Sequence, residues 1–451
     1  MTEKILDSGL AVSQKVKLYN TCVIPAATYV LGNIYSQESR ATSMRKCNDQ
    51  DKLVRKILVE KQLKGATTTR VSTYIPSCKG GLGLKSIRFE AELLMVKKGA
   101  YLKSHPEMGM AREKYEKLAA KGWRNPLTDA EWVMDTYGVV GPSVERMPEE
   151  GFGDYYRRLA RWVALQQEDL LLHLWRSLHY GRLVVQEEAA IKFPAVNSFK
   201  MEDWIARRTL EAAEEQVHGL GSITGAPCRL GCQNTETAYH VIAACGRQTH
   251  PARHDTAVSW IIKTILEATK APEDVKLRAF KARASLVTEY LWEERKVEIC
   301  AGPRVVVDIN LHHNRPDMMI KLSNPAEIFV LEVAVSHLQN IRLQERIDRA
   351  RYNINSTVEI SENNLEEVTR GENLVDALQR KHKCPAKLGI LVFGALGEVL
   401  DTKELKNSAN ILKKLGMTER KIDIMLSNIA LSMAKASAQI LLQRVRTEHR
   451  G

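Results

Sequence analysis

The sequence predicts a mixed architecture: a mostly α-helical amino-terminal half, a small cysteine–histidine module, and an α/β carboxy-terminal domain. Three observations carry this reading. Apolar residues recur at helical spacing through much of the first 200 residues. Three cysteines and a histidine crowd into 228–245. Beyond them, short apolar runs alternate with helical stretches over 252–415, the pattern of α/β. At 451 residues, 44% hydrophobic and 27% charged, the chain has the composition of a folded globular protein and the length for two to four domains.

Residues 9–35 read as a helix running from Val12 through Tyr19 and Ile24, crossed by Pro25 and continuing over Tyr29 and Leu31. A second, basic helix covers Ser43–Glu60, with Leu53, Ile57 and Leu58 expected on one apolar face. Pro76 and Gly80-Gly81-Leu82-Gly83 form a turn before a helical stretch, Ser86–Ser104. That glycine cluster lacks the lysine of a phosphate-binding loop and reads as a turn alone. Prolines and glycines at 106, 126, 138, 141, 142 and 148 suggest a polar connection over 106–150.

Residues 153–190 are predicted helical, with Leu159, Trp162, Leu165, Leu170, Leu171, Leu174 and Trp175 as the apolar stripe. The tryptophans read as core rather than as stacking platforms for bases. Met201–Val217 is a further helix. Strands are expected at Arg304–Ile309, around Asp317, over Ile328–Val335 and at Leu388–Phe393; helices are expected over Ile341–Asn353 and Glu419–Arg446. The expected divisions are 1–105, 106–215, 216–250, 251–415 and 416–451. No stretch reads as long enough to span a membrane, and the first residues lack the plan of a signal peptide. A nuclear or cytoplasmic protein is the expectation.

Charge is unevenly placed. Of 66 Lys/Arg and 54 Asp/Glu, 23 and 11 fall in residues 1–124, leaving 43 of each in the rest. The entire net charge of +12 therefore lies in the first quarter. Such concentration suits a polyanion such as DNA or RNA, although solubility alone would also account for it.

Cys228, Cys232, His240 and Cys245 have the spacing C-x3-C-x7-H-x4-C. Three thiolates and an imidazole make a closed tetrahedral set for structural Zn²⁺, with no position left for catalysis. Gly231 permits the tight turn between the first two sulfurs. Metal binding would fold a segment too small to have its own core. A module of this size can be purely structural or can touch single-stranded nucleic acid.

Two carboxylates stand out downstream. Asp317 and Glu332 each interrupt an apolar run, and a lone buried acid costs several kcal/mol unless it is paired or holds a metal. A turn centred on Asn324-Pro325 would place the two directly opposite on adjacent antiparallel strands, with Cβ atoms roughly 4.5–5.5 Å apart. A divalent cation between them would relieve their repulsion, so a Mg²⁺ site is expected. Phosphodiester hydrolysis also wants a cation near the phosphate. The position two residues beyond Glu332 is Ala334. Arg349 and Tyr352, three apart on the following helix, could reach the same space, and Lys321 is a weaker candidate.

The ordered set of Cys-Cys-His-Cys, Arg253-His254-Asp255, Arg315-Pro316-Asp317, Glu332 and Arg349-x-x-Tyr352 resembles the carboxy-terminal part of site-specific non-LTR retrotransposon polyproteins with a restriction-like endonuclease. Gln14-Lys15-Val16-Lys17-Leu18-Tyr19, Ile24-Pro25, Tyr29, Ile75-Pro76 and Gly80-Gly81-Leu82-Gly83-Leu84 resemble the thumb-like segment that follows the reverse transcriptase palm in that family.

The resemblance implies a PD-(D/E)xK endonuclease fold over 251–415 that nicks target DNA with Mg²⁺, priming reverse transcription of element RNA. Asp317, Glu332, Arg349 and Tyr352 would be catalytic, and Arg253, His254 and Arg315 would contact nucleic acid. A nuclear location follows. No Phe/Tyr-x-Asp-Asp polymerase motif occurs, so the chain is expected to be a fragment or degenerate copy that does not polymerise. Arg349 stands where the family has lysine; it keeps the charge but cannot transfer a proton, which would weaken or abolish cleavage. The alternative is a non-catalytic nucleic-acid-binding remnant.

Overall fold

The computed structural model describes residues 1–31, 39–140, 144–196, 198–220, 225–245, 251–276, 286–309, 311, 313–352, 357–361, 364–367 and 373–446. The chain divides into two compact units, Met1–Val185 with Glu202–Glu214, and Gln186–Met201 with Glu215–Gly451.

The first unit is helical: α1 (Thr2–Leu6), α2 (Val12–Leu18), α3 (Ile24–Leu31), α4 (Arg40–Glu60), α5 (Val71–Tyr74), α6 (Ile87–Ser104), α7 (Gly109–Ala120), α8 (Pro126–Thr136), α9 (Phe152–Arg176), α10 (His179–Gln186) and α11 (Asp203–Ala213). A wider π turn, Tyr19–Val23, joins α2 to α3 and carries the chain past Pro25, which has no N–H to give. The end of the helix expected over 9–35 lies outside the described residues.

In α4 the buried face is Met44, Cys47, Asp51, Val54 and Leu58, spaced by three and four. Leu53 is 49% exposed, so the expected grouping of Leu53 with Leu58 is corrected. Five residues turn a helix by about 140°, which puts the two on different faces.

The connection expected over 106–150 contains α7 and α8 instead, so the boundary expected at 105/106 falls inside this unit. Pro106 and Pro126 misled because each opens a helical turn, where a missing N–H costs nothing. Asn125 caps α8 through Leu127 N (2.9 Å) and Thr128 N (3.3 Å). Gly99 lets α6 approach α8 closely: a Cβ there would lie 2.2 Å from that of Ala130. In α9, Leu159, Val163 and Trp175 are buried, whereas Leu165 and Leu170 are exposed. Trp175 is core, as expected.

The second unit holds β1 (Ile191–Lys192), β2 (Leu286–Trp292), β3 (Arg295–Ala301), β4 (Met318–Leu322), β5 (Glu327–Ser336), β6 (Thr357–Ser361), β7 (Asn364–Glu367), β8 (Ala386–Gly394) and β9 (Val399–Leu400). Seven form one sheet in the order β1-β9-β8-β5-β4-β3-β2, with β6 and β7 a separate pair. All the pairings are antiparallel except β5 with β8. That parallel pair needs a long crossover, which contains α13 (Ile341–Tyr352) and α14 (Leu374–His382). The fold is thus mixed α/β, as the alternation predicts.

The strand expected at Arg304–Ile309 does not form. Val306 is 73% exposed, and the segment is tied down locally by Val305 N donating to Asn314 O.

α12 (Pro251–Ala268), α15 (Lys403–Lys414) and α16 (Glu419–Arg446) complete the unit. By length and composition α16 could cross a membrane over Glu419–Val445, contrary to the expectation that no stretch is long enough. Met425, Ile429, Ala430, Met433, Ala434, Ala438 and Leu441 are buried in the unit, so this helix is part of its core.

The two faces of α4 give a direct test. Leu58→Ala should cost about 2–5 kcal/mol in urea unfolding, and Leu53→Ala about 0.5 kcal/mol or less.

Candidate functional site

The cysteine–histidine module folds as the spacing suggests. Cys228 N donates to Asn234 O (2.8 Å), Gly231 N donates to Cys228 O (2.9 Å), and Gly231 takes a left-handed φ of 73°. A non-glycine residue there would be strained. His240 opens a π turn closed by Cys245 N donating to His240 O (2.8 Å). The four ligand atoms lie within 4.8 Å of one another, forming a group that could hold a metal ion.

Cys228 Sγ and Cys245 Sγ are 3.8 Å apart, and Cys232 Sγ is 3.1 Å from His240 Nε2. Tetrahedral zinc with bonds of ~2.3 Å sets its sulfurs about 3.8 Å apart, so the donor set fits zinc.

The module is clamped within its unit. Glu215 accepts from Ala238 N and Tyr239 N (both 2.7 Å), capping the turn that carries His240. Buried Glu236 takes the Arg229 guanidinium at 2.5 Å and Arg444 of α16 at 3.4 Å. Tyr239 stacks edge-on to His337, and its hydroxyl lies 3.2 Å from Gln339 Nε2.

The hairpin carrying the acids has the expected register. β4 and β5 pair Met318↔Leu331, Met319↔Val330 and Ile320↔Phe329 around a turn at Asn324-Pro325. One step outward from Met318, Asp317 meets Glu332: Asp317 N donates to Glu332 Oε2 at 3.2 Å, and Val333 N donates to Asp317 Oδ2 at 2.7 Å. Both acids extend the sheet face of Met319, Ile328 and Val330, which packs with Tyr352 and α14. Burial, then Asp317, then Asp348 push the Glu332 carboxyl up to about 9.

α12 contributes a cation. His254 Nε2 lies 3.0 Å from Asp317 Oδ1, and that hydrogen bond holds the imidazole up to about 9. His254, anticipated as a nucleic-acid contact, is thus a member of the acid centre.

Its neighbour Arg253 is 5% exposed, donates to Ser437 Oγ (3.0 Å), and is lowered to about 10 by burial. A side chain so enclosed does not meet a polyanion, and the role expected for it is corrected. Arg315 is exposed.

α13 presents two faces. On one face Glu345 accepts from Thr402 Oγ1 (2.6 Å), and Arg349, one turn on, pairs with Glu404. Arg349 is therefore committed to the segment around 402–404, which corrects its expected place beside the acids.

The other face carries Gln344, Asp348 and Tyr352 at four-residue steps. Tyr352 OH donates to Arg315 O at 3.0 Å, two residues before Asp317, which ties this end of α13 to the segment leading into the acid hairpin. Arg351 Nη1 is 3.3 Å from Asp348 Oδ1, and its charge helps lower both Glu332 and Asp348. Arg351 is a cation on α13 that acts electrostatically on Glu332 and that the spacing argument did not single out. Lys321 pairs with Glu298 on β3 (2.9 Å), about 13 Å along the strand from Asp317, and takes no part.

No family model matches the chain, and no curated protein matches it at a significant level.

The module makes a stoichiometric prediction. Purified protein should carry about one zinc per chain by metal analysis, and Cys228→Ser or His240→Ala should remove it. Cys22→Ser, at an exposed cysteine outside the cluster, should leave it in place.

Proposed function

We propose that the second unit is a divalent-metal-dependent DNA endonuclease module of the PD-(D/E)xK kind, of retrotransposon origin. The observation that carries the reading is the placing of Asp317 against Glu332 across β4 and β5, next to the buried apolar residues Met318, Met319, Val330 and Leu331, with His254 bonded to Asp317 and the charge of Arg351 acting on Glu332. Such an arrangement of acids has little structural merit. Two neighbouring carboxylates with one imidazole between them still carry a desolvation cost there, and apolar residues would pack at lower cost.

Asp317 and Glu332 would hold the ion, which would stabilise charge on the attacked phosphate and lower the pKa of a bound water. The chain supplies the rest. His254, positively charged while it is bonded to Asp317, stands where it can attract a phosphodiester or give a proton to a departing oxygen. Arg351 offers a fixed positive charge that cannot leave as a proton. Tyr352 fixes the backbone at Arg315, and the exposed Arg315 side chain remains free to meet the DNA backbone. With the cation role moved from Arg349 to Arg351, the arginine at 349 no longer argues for lost cleavage.

The basic first unit would bind nucleic acid through its phosphates, with target DNA and element RNA as the proposed partners. A nuclear site of action accords with those partners. A non-catalytic nucleic-acid-binding remnant is the competing reading.

Conversion of supercoiled plasmid to open circles in Mg²⁺ separates the two. Wild type should nick, Asp317→Ala and Glu332→Gln should lose at least about 100-fold, and chelation should abolish the rest. Equal nicking by wild type and Asp317→Ala would remove Asp317 from the site. In the same assay Arg351→Met should lose at least about tenfold, whereas Arg349→Met should lose less than about threefold.

A further inference from the structure

We propose that the first unit carries a pocket for an unpaired nucleotide of a single-stranded nucleic acid, bounded by α4, the start of α6 and α9. The proposal rests on the reading that this unit binds nucleic acid, names the place where it does so, and is independent of the acid centre in the second unit.

The pocket has a volume of about 420 Å³. That is the size of a small-molecule site, roughly 300–1,000 Å³, and far too small for a base-paired helix. α4 contributes residues from Ala41 to Arg55, about 21 Å of helix. Leu170, Leu171 and Leu174 of α9 supply an apolar wall, on which Leu170 is left 49% exposed. Tyr74, Phe89 and Tyr137 add three aromatic rings. Two of the rings are held in place: Tyr74 OH accepts from Arg55 Nη1 (2.7 Å), and Tyr137 OH donates to Glu92 Oε2 (2.6 Å).

Charge in the pocket is unbalanced. Arg45, Lys52, Arg55, Arg70 and Arg88 line it, against the two carboxylates of Asp49 and Asp51. Both carboxylates are engaged within the fold. Asp51 is buried and accepts from Ser86 Oγ (2.6 Å) and Ile87 N (2.8 Å) at the start of α6, while Asp49 faces Lys52 at 3.2 Å. Arg88 is paired with Glu92 at 2.9 Å. Arg45 and Arg70 remain, both exposed and, among the described residues, without a hydrogen-bond or ion-pair partner. Guanidinium groups left unmatched around a concave site attract an anion. Arg45 and Arg55 stand about 15 Å apart along α4, far enough to meet successive phosphates of one strand.

The two kinds of wall select the ligand between them. Inorganic phosphate would use the arginines and leave the rings and leucines bare; an apolar ligand would do the reverse. A nucleotide within a strand uses both, its base against the rings and leucines and its phosphates against Arg45 and Arg70. Aromatic faces beside a cationic groove are how proteins hold single strands without reading a sequence.

The test uses the full chain with its zinc retained and no other divalent cation added, so that binding is read without cleavage. Fluorescence anisotropy follows labelled oligo(U) and oligo(dT) of about twelve nucleotides and a DNA duplex of the same length. Arg45→Met/Arg70→Met should weaken single-strand binding at least tenfold and reduce its salt slope by roughly 1 to 1.5. Lys56→Met, at a 73% exposed lysine of α4 outside the pocket, should stay within about threefold of wild type. Phe89→Leu, which keeps apolar bulk but loses the ring, should weaken single-strand binding at least about fivefold and duplex binding less than twofold. A preference for oligo(U) over oligo(dT), or the reverse, tells RNA from DNA as the source of the strand, and either accords with the pocket.

A readout on the wild type needs no variant to fold. A strand carrying 5-iodouracil should crosslink under ultraviolet light to Tyr74, Phe89 or Tyr137. Single-strand binding by Arg45→Met/Arg70→Met no weaker than by Lys56→Met, or crosslinks confined to residues outside the pocket, would overturn the proposal and leave nucleic-acid binding by the unit standing. Wild type that binds neither single strand nor duplex would overturn both.

Discussion

The pairing of β4 with β5 is the constraint on which the candidate site depends. Side chains alternate along a strand, so a slip of one residue would turn Asp317 or Glu332 to the opposite face. The register is held by apolar residues on both faces. Phe329 and Leu331 are fully buried on one side, and Met319, Ile328 and Val330 pack beneath Tyr352 and α14 on the other. The acids occupy the last step of this ladder, where the hydrophobic pattern that aligns them ends. β8 then adds in parallel to β5, and the crossover that parallel pairing requires brings α13 over the same face.

Electrostatics at this point are unfavourable by design of the sequence. Burial and like charge raise the Glu332 carboxyl, and Asp348 is held up to about 6 mainly by its own burial. His254 and Arg351 offset part of that cost from two different helices, α12 and α13. The acids of the hairpin thus draw compensating charge from helices outside it in the sequence.

The cysteine–histidine module belongs to the same structural unit as the acid centre. Glu236 is shared between Arg229 of the module and Arg444 near the end of α16, while Tyr239 packs on His337 just beyond the last residue of β5. Metal binding by the four ligands would therefore stiffen contacts to the strand bearing Glu332 and to the core helix α16, besides folding its own loop. The segments 216–250, 251–415 and 416–451 all lie within one compact unit.

What the sequence determined by itself is what local spacing and alternation encode. The clustering of the three cysteines and His240, the hairpin register around Asn324-Pro325, α16, and α4, α6, α9 and α11 of the first unit follow from near neighbours in the chain, because turn geometry and periodic burial are short-range. Where local rules have two answers, the expectation failed: prolines 106 and 126 start turns as readily as they end helices, and Leu53 differs from Leu58 only by its angle around α4. The tertiary structure decided which cations join the acids. Arg349, Arg351 and Asp348 are neighbours in sequence but point apart around α13, so Glu404 takes the first while the other two pair with each other. Likewise His254 and Arg253 are adjacent, and the packing of α12 sends one to Asp317 and encloses the other against Ser437. A helix carries its residues around a circle, and only the surfaces packed against it determine which arc becomes the site.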